Sequence, residues 1–259
     1  MFALALSLAG CGAVELVPSI WPPADFVCEV EEVALRDGVA AVVRRMRVDA
    51  TGLVVYGTAA RSLVDATTGI ALPVMDRLAI YQLVPACVRA FARDLDRLGL
   101  RELDSQQGER GATEDSGLVL RWQAFGSKKV VVARGRVHGP MAAILAVVAA
   151  HLPAGERFAV AAFADRPVVS VLRGVPEPLT DGRLALQALE SLLAKRPDAG
   201  EWLLDAFALA CAGGTRATAE AALRRWETWV RDRQAMSPFP DQAPTGLTAE
   251  VLWRWVPPQ

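Results

Sequence analysis

The chain has 259 residues, a formal net charge of −1 and 53% apolar residues. That is enough to bury a core, and too balanced in charge for a dedicated nucleic-acid binder, which carries a strong basic excess. No apolar run reaches the ~20 residues that span a bilayer as a helix; the longest, Met141 to Leu152, stands between Pro140 and Pro153 and reads as a buried helix.

In chain order, the first feature is a short apolar stretch, Met1 to Gly10, that ends in small residues and is followed by Cys11. The run Leu8-Ala9-Gly10-Cys11 resembles the lipobox of bacterial lipoproteins. The resemblance implies a signal peptide, export, cleavage before Cys11, and two or three acyl chains such as palmitate on the new terminal cysteine. It implies a lipid-anchored place in the cell envelope, on the periplasmic or outer side of a membrane. Each buried methylene of such a chain contributes ~0.8 kcal/mol, and stable anchoring takes more than one chain. Residues Gly12 to Ala24, with Pro18, Pro22 and Pro23, read as a tether. Export signals normally begin with Lys or Arg, and here none precedes Arg36. The competing reading is an apolar N-terminal strand or helix in which the cysteine is incidental.

With Cys11 lipidated, Cys28, Cys87 and Cys211 remain. A Cys28–Cys87 bridge suits an oxidising compartment; three buried thiols acting as small apolar residues is the equal alternative. No Cys-x-x-Cys pair occurs, so zinc ribbons and thioredoxin-like chemistry lack support.

From Asp25 the pattern is one of strands. Phe26–Val33 alternates imperfectly, Val39–Val48 and Leu53–Tyr56 are β-branched runs joined by an Asp49-Ala50-Thr51-Gly52 turn, and Thr67–Leu83 leaves room for a further edge strand. Pro85 opens a helix with Val84, Val88, Phe91, Leu95 and Leu98 on one face, and Gly99 closes it. Next comes a hairpin, Leu118–Phe125 and Lys128–Val137, with Gly126-Ser127 as its two-residue turn. One face carries Leu118, Leu120, Trp122 and Ala124; the other carries Arg121, Gln123, Arg134 and Arg136. Gly139-Pro140 starts the second helix, with Met141, Ile144, Leu145 and Val148 inward.

Strands, helix, hairpin and helix in that order predict an α+β domain over residues 25–153, an antiparallel sheet with two helices packed on one face. Behind a lipobox, this layout is similar to small lipoprotein domains without an assigned activity. Residues 1–24 form the signal and tether, 154–234 a mainly helical extension, and 235–259 a Pro- and Trp-containing tail. In the extension, Thr180-Asp181 caps a helix to about Lys195, a second runs from Glu201 to Cys211, and Thr215 caps a third. These helices resemble a fragment of tetratricopeptide repeats through Ala185, Pro197, Gly214 and Ala219, although two extra residues disturb the register and Asp205 or Phe207 falls where the family packs a small residue. A generic helical hairpin is the alternative. The 25–153 segment is expected to fold without the residues C-terminal to Pro153.

Catalytic signatures are absent: there is no Gly-x-Ser-x-Gly elbow, Walker loop, dinucleotide fingerprint or His-x-x-x-His pair, and only His138 and His151 are present. No catalytic residue, metal site or cofactor is expected. Glu29, Glu31 and Glu32 cluster in the first strand, with Glu29 and Glu31 on one face, and read as a solvated edge. Asp104, Glu109, Glu114 and Asp115 read as a polar connection. The least bland feature is the guanidinium strip of Arg121, Arg134 and Arg136, joined by Arg45 and Arg47 from the other hairpin. It is a candidate anion-binding face, because Arg suits bidentate recognition of carboxylate and phosphate. The resulting expectation is a lipid-anchored, non-enzymatic binding or assembly protein whose partners are the membrane, through Cys11, and another envelope protein. The rival is a soluble cytoplasmic scaffold that binds a peptide through its C-terminal helices.

Overall fold

The computed structural model describes residues 22–36, 39–108, 116–135, 137–158, 176–197, 199–233 and 247–258. Cys11 and Arg136 therefore lie outside the described residues, as do Glu109, Glu114 and Asp115.

Strands β1 (Val27–Arg36), β2 (Val39–Asp49) and β3 (Leu53–Thr58) follow one another as antiparallel neighbours. The turn between β2 and β3 forms as its residues dictate. The Asp49 carboxylate accepts from the Thr51 amide at 2.8 Å and the Leu53 amide at 3.2 Å, while Gly52 takes φ +85°. A Cβ at Gly52 would stand 2.7 Å from the Leu83 carbonyl, so glycine also permits a close approach by the next segment. A small hairpin comes next, β4 (Arg61–Val64) and β5 (Ala71–Val74), and then β6 (Arg77–Gln82), which pairs with β3. The first of these, β4, has no counterpart among the strands expected from sequence, because Arg-Ser-Leu-Val is too short and too polar to show a period.

Helix α1 (Pro85–Arg97) buries Val88, Phe91, Ala92 and Leu95 and ends at Gly99 with φ +73°. Val84, expected on the buried face, is the exposed residue before the helix. Strand β7 (Gln106–Gly108), inside the stretch expected to be a polar connection, runs parallel to residues Val132–Arg134. Strands β8 (Ser116–Ala124) and β9 (Ser127–Arg134) form the expected hairpin with a register two residues from the expected one: Trp122 faces Lys129, and Ala124 faces Ser127. The turn residues are Phe125 and Gly126, both at positive φ (+52° and +71°), not Gly126-Ser127. Asp25 makes this turn possible, accepting from the Phe125 and Gly126 amides at 2.9 and 2.6 Å. A shift of two keeps every side chain on its own face, so the face assignments stand.

The large sheet has seven strands in the order β6-β3-β2-β1-β8-β9-β7. All its pairings are antiparallel except β7 with β9. One face packs α1 and α2 (Gly139–Ala149) over Phe26, Cys28, Val30, Met46, Val48, Leu118, Leu120 and Trp122. This is the α+β architecture the sequence predicts.

The second face is covered as well. Residues 176–181 bridge to the outer edge of β6 through paired Leu78 and Leu179. Asp181 then caps α3 (Gly182–Lys195) through the Arg183 amide, and a 3₁₀ turn (Gly200–Trp202) leads into α4 (Leu203–Ala212) and α5 (Arg216–Arg233). Leu186, Leu189, Phe207, Leu209 and Leu223 share one core with Val55, Leu72, Val74 and Leu78 of the strands and with Met75 between β5 and β6. Helix α6 (Ala249–Trp255) closes this layer, with Val251 and Leu252 buried and Arg254 3.1 Å from Asp65. The helical extension thus forms a third layer packed on the sheet. Among the described residues no helix is long and apolar enough to cross a membrane.

Candidate functional site

The second face of the sheet carries a charged cluster whose members come from three adjacent strands. At one level Val130, Arg121, Glu29, Arg47, Val55 and Ile80 lie side by side across the sheet, and at the next Val132, Val119, Glu31, Arg45, Gly57 and Leu78. Strand alternation thus puts Arg121, Arg45 and Arg47 on one face, as the sequence predicts. It puts Glu29 and Glu31 between them.

The strip is therefore neutralised from within. One nitrogen of Arg121 donates to Glu29 Oε1 at 3.1 Å and to Glu31 Oε2 at 2.5 Å. Arg47 donates to Glu29 Oε2 at 3.2 Å and its other terminal nitrogen lies 3.3 Å from Glu201. Arg45 pairs with Asp205 of α4 and lies 3.9 Å from Glu31 Oε1. The Trp202 ring lies under both guanidiniums, 5.3 Å from Arg45 and 5.8 Å from Arg47. Glu29, Glu31, Arg47 and Asp205 are buried.

The reading of Glu29 and Glu31 as a solvated edge is corrected by this arrangement. Although first in sequence, β1 lies between β2 and β8, so its outward residues face the helical layer instead of water. Its carboxylates persist there because each has guanidinium partners. Burial alone would raise Glu29, but Arg47, Arg45 and Arg121 together hold it below the ordinary carboxylate range. Burial and the neighbouring Glu29 charge push Glu31 up, against the pull of Arg121 and Arg45. Burial also raises Asp205, with Arg45 opposing.

Arg134 is placed differently. It is exposed at the end of β9 and makes no ion pair among the described residues. The structure thus separates the three candidate anion-binding residues: Arg121 already holds two carboxylates of its own chain, Arg134 faces solvent, and Arg136 lies outside the described residues.

A second polar chain borders the opposite core. Glu32 pairs with Arg44, Arg44 Nε donates to the Tyr56 hydroxyl at 3.0 Å, and that hydroxyl donates to Glu156 at 2.5 Å. Arg77 completes it at 2.8 Å from Glu156. His151 is buried against Phe91, with ring centroids 4.8 Å apart and its Nδ1 2.8 Å from the Val147 carbonyl; burial lowers its pKa. It serves packing.

Cys28, Cys87 and Cys211 are free thiols, so the Cys28–Cys87 bridge does not form; burial raises Cys28 and pushes Cys211 up to about 12, far from a reactive thiolate. Among the described residues no group of three or more His, Cys, Asp or Glu is placed to hold a metal ion. On the helical layer, Pro197, Leu203, Arg224, Arg225, Thr228, Trp229 and Asp232 line an open groove of about 460 Å³.

Sequence reasoning missed the pairing of the two strands' charges. The signal was present: Glu29-Val30-Glu31 opposite Arg45-Met46-Arg47 is a complementary pattern on neighbouring strands. Asp205 and Trp202 had no local signal, because their partners lie far away in the chain.

No family model matches this chain, and comparison with curated proteins finds no significant relative.

Proposed function

We propose that the protein is a lipid-anchored component of a bacterial cell envelope, attached through Cys11, with a non-enzymatic binding or assembly role. The observation that carries this reading is the lipobox-like run Leu8-Ala9-Gly10-Cys11, followed by the proline-containing stretch Gly12 to Ala24 that leads directly to the first strand. Asp25, which follows that stretch, is bonded to the Phe125–Gly126 turn. The end of the sheet bearing this turn and the Asp49–Gly52 turn would therefore face the membrane. Phe125 is 43% exposed there, with Arg101 5.4 Å above its ring. The clustered charged groups of the second face, Arg45, Arg47 and Arg121 with Glu29, Glu31, Glu201 and Asp205, are engaged with one another in ion pairs, which suits a module that binds through its surface better than a catalyst.

The test is lipid labelling. In a bacterial host the protein should incorporate labelled fatty acid and sediment with membranes, and Cys11→Ser should abolish both. Equal labelling of the variant, or a soluble wild-type protein, would end the reading.

A second reading, a soluble cytoplasmic scaffold, is favoured by the groove beside Trp229 and Arg225 on the helical layer. It predicts unlabelled, soluble protein and peptide binding that Arg225→Glu weakens.

A further inference from the structure

Arg45 stands between a carboxylate of each layer, Glu31 of its own sheet at the loose distance of 3.9 Å and Asp205 of α4 in a direct ion pair, whereas Arg47, which also reaches both layers, is held at 3.2 and 3.3 Å by Glu29 and Glu201. We propose that Glu31 is a proton-gated competitor for Arg45, so that protonation of Glu31 commits Arg45 to Asp205 and tightens α4 on the sheet, while ionisation of Glu31 loosens it.

The balance of charge in the cluster motivates the proposal. Four carboxylates, Glu29, Glu31, Glu201 and Asp205, meet three guanidiniums, Arg45, Arg47 and Arg121. These are the charged groups that face Glu31 or its partners from β1, β2, β8 and the α4 region among the described residues. One negative charge is in excess in a place largely withdrawn from water, and taking up one proton from solvent removes it.

Geometry selects the oxygen. Glu31 Oε2 is the acceptor for Arg121 at 2.5 Å, whereas Oε1 points towards Arg45 at the looser distance of 3.9 Å. A proton arriving on Oε1 keeps the Arg121 hydrogen bond, now to a neutral carbonyl oxygen, and leaves Arg45 with Asp205 as its one direct carboxylate partner among the described residues. Glu29 is not the acceptor, since Arg47 and Arg121 occupy both its oxygens. The directions of titration exclude Glu29, which is lowered, and leave Glu31 and Asp205, both raised by burial; of these two Asp205 is bonded directly to Arg45, while Glu31 Oε1 stands 3.9 Å from it and is the freer to take the proton.

Linkage fixes the sign. A carboxyl whose folded pKa lies above its unfolded one binds a proton in the folded state first, so its contribution to stability grows as pH falls from the raised value towards the ordinary carboxylate range. His151, on the other face, acts oppositely: its folded pKa is lowered, and it costs stability as pH falls through the ordinary histidine range. Global melting would mix the two, so the readout must be local.

The experiment is amide hydrogen exchange of the intact protein from pH 8 to pH 5, with protection of Leu203–Ala212 corrected for intrinsic exchange rates. The expected result is a several-fold rise in protection of α4 towards pH 5, with little change in α1. Glu31→Gln, which keeps the Arg121 bond through its carbonyl oxygen, should show the high protection at every pH. Carboxyl-carbon NMR of the wild type, with the Glu31 signal assigned by its loss in the variant, should show that group titrating over the same range. Falling α4 protection towards pH 5 would mean that Asp205 takes the proton and would overturn the proposal. A pH dependence unchanged in Glu31→Gln, or a Glu31 signal that does not titrate in this window, would overturn it too.

Discussion

Arg45 and Asp205 are 160 residues apart in the chain and form an ion pair that joins the central sheet to the helical layer. Both side chains are largely shielded, with exposures of 17% and 3%. Removing one partner leaves the other charge stranded in poor solvent, whereas replacing both with apolar groups removes the need for the pair. Asp205→Ala should therefore cost about 3 kcal/mol in chemical denaturation, near the low end for a broken buried pair because Arg45 keeps Glu31. The double variant Arg45→Met/Asp205→Leu should cost less than the sum of its single substitutions. Strict additivity would show that the two residues do not interact in solution.

Arg121 invites a test that separates a structural cation from an anion receptor. Arg121→Ala leaves Glu29 to Arg47 and Glu31 to the more distant Arg45. Without its guanidinium both carboxylates are harder to ionise, so their folded pKa values move up and the penalty grows with pH. The loss relative to wild type should be about 2 kcal/mol at pH 8 and clearly smaller at pH 5. The His151 contribution is common to both proteins and cancels in the difference. A loss independent of pH, accompanied by lost binding of a polyanion, would return Arg121 to the role of an anion site.

Trp122 and Gln123 are adjacent and point to opposite faces. Trp122 is buried among Leu118, Leu120 and α1, while the Gln123 side-chain oxygen has no partner among the described residues. Trp122→Ala should cost about 3–5 kcal/mol, and Gln123→Ala under about 0.5. Comparable losses would contradict the observed register.

Much of this was legible in the sequence, for identifiable reasons. Short turns carry their chemistry locally: Asp49 to Gly52 and Pro85 to Gly99 could be placed because the residues that make the turn or cap also lie beside it. Face assignment survived even where register did not, since the β8–β9 pairing moved by two residues and the side-chain period is two. What could not be read was strand order. Nothing in Phe26–Val33 says that its second neighbour will be β8, nearly a hundred residues on, or that Trp202 and Asp205 will cover the same face, and the status of Glu29 and Glu31 depends on both.

The helical layer bears on where the folding unit ends. A chain stopping at Pro153 would bare Val55, Leu72, Val74, Met75 and Leu78, and would deprive Arg45 and Arg47 of Asp205 and Glu201. The packing points away from an autonomous 25–153 segment. We expect that piece to retain far-ultraviolet circular dichroism, bind a hydrophobic dye and melt with a broad transition, as species with unfixed packing do. A sharp melt without dye binding would establish two separable domains.

The position of β1 has a consequence for the chain as it is being made. Its first partner, β2, emerges at once, but its other edge stays open until residues 116–124 have appeared. Through that interval the half-built protein offers an unsatisfied row of amides and carbonyls, the kind of template on which chains misassemble. Glu29 and Glu31 stand along the waiting strand, and an identical strand pairing with that edge would set carboxylate against carboxylate. The same carboxylates that later hold the mature sheet together would serve, for the time it takes to add about ninety residues, as a guard against premature association.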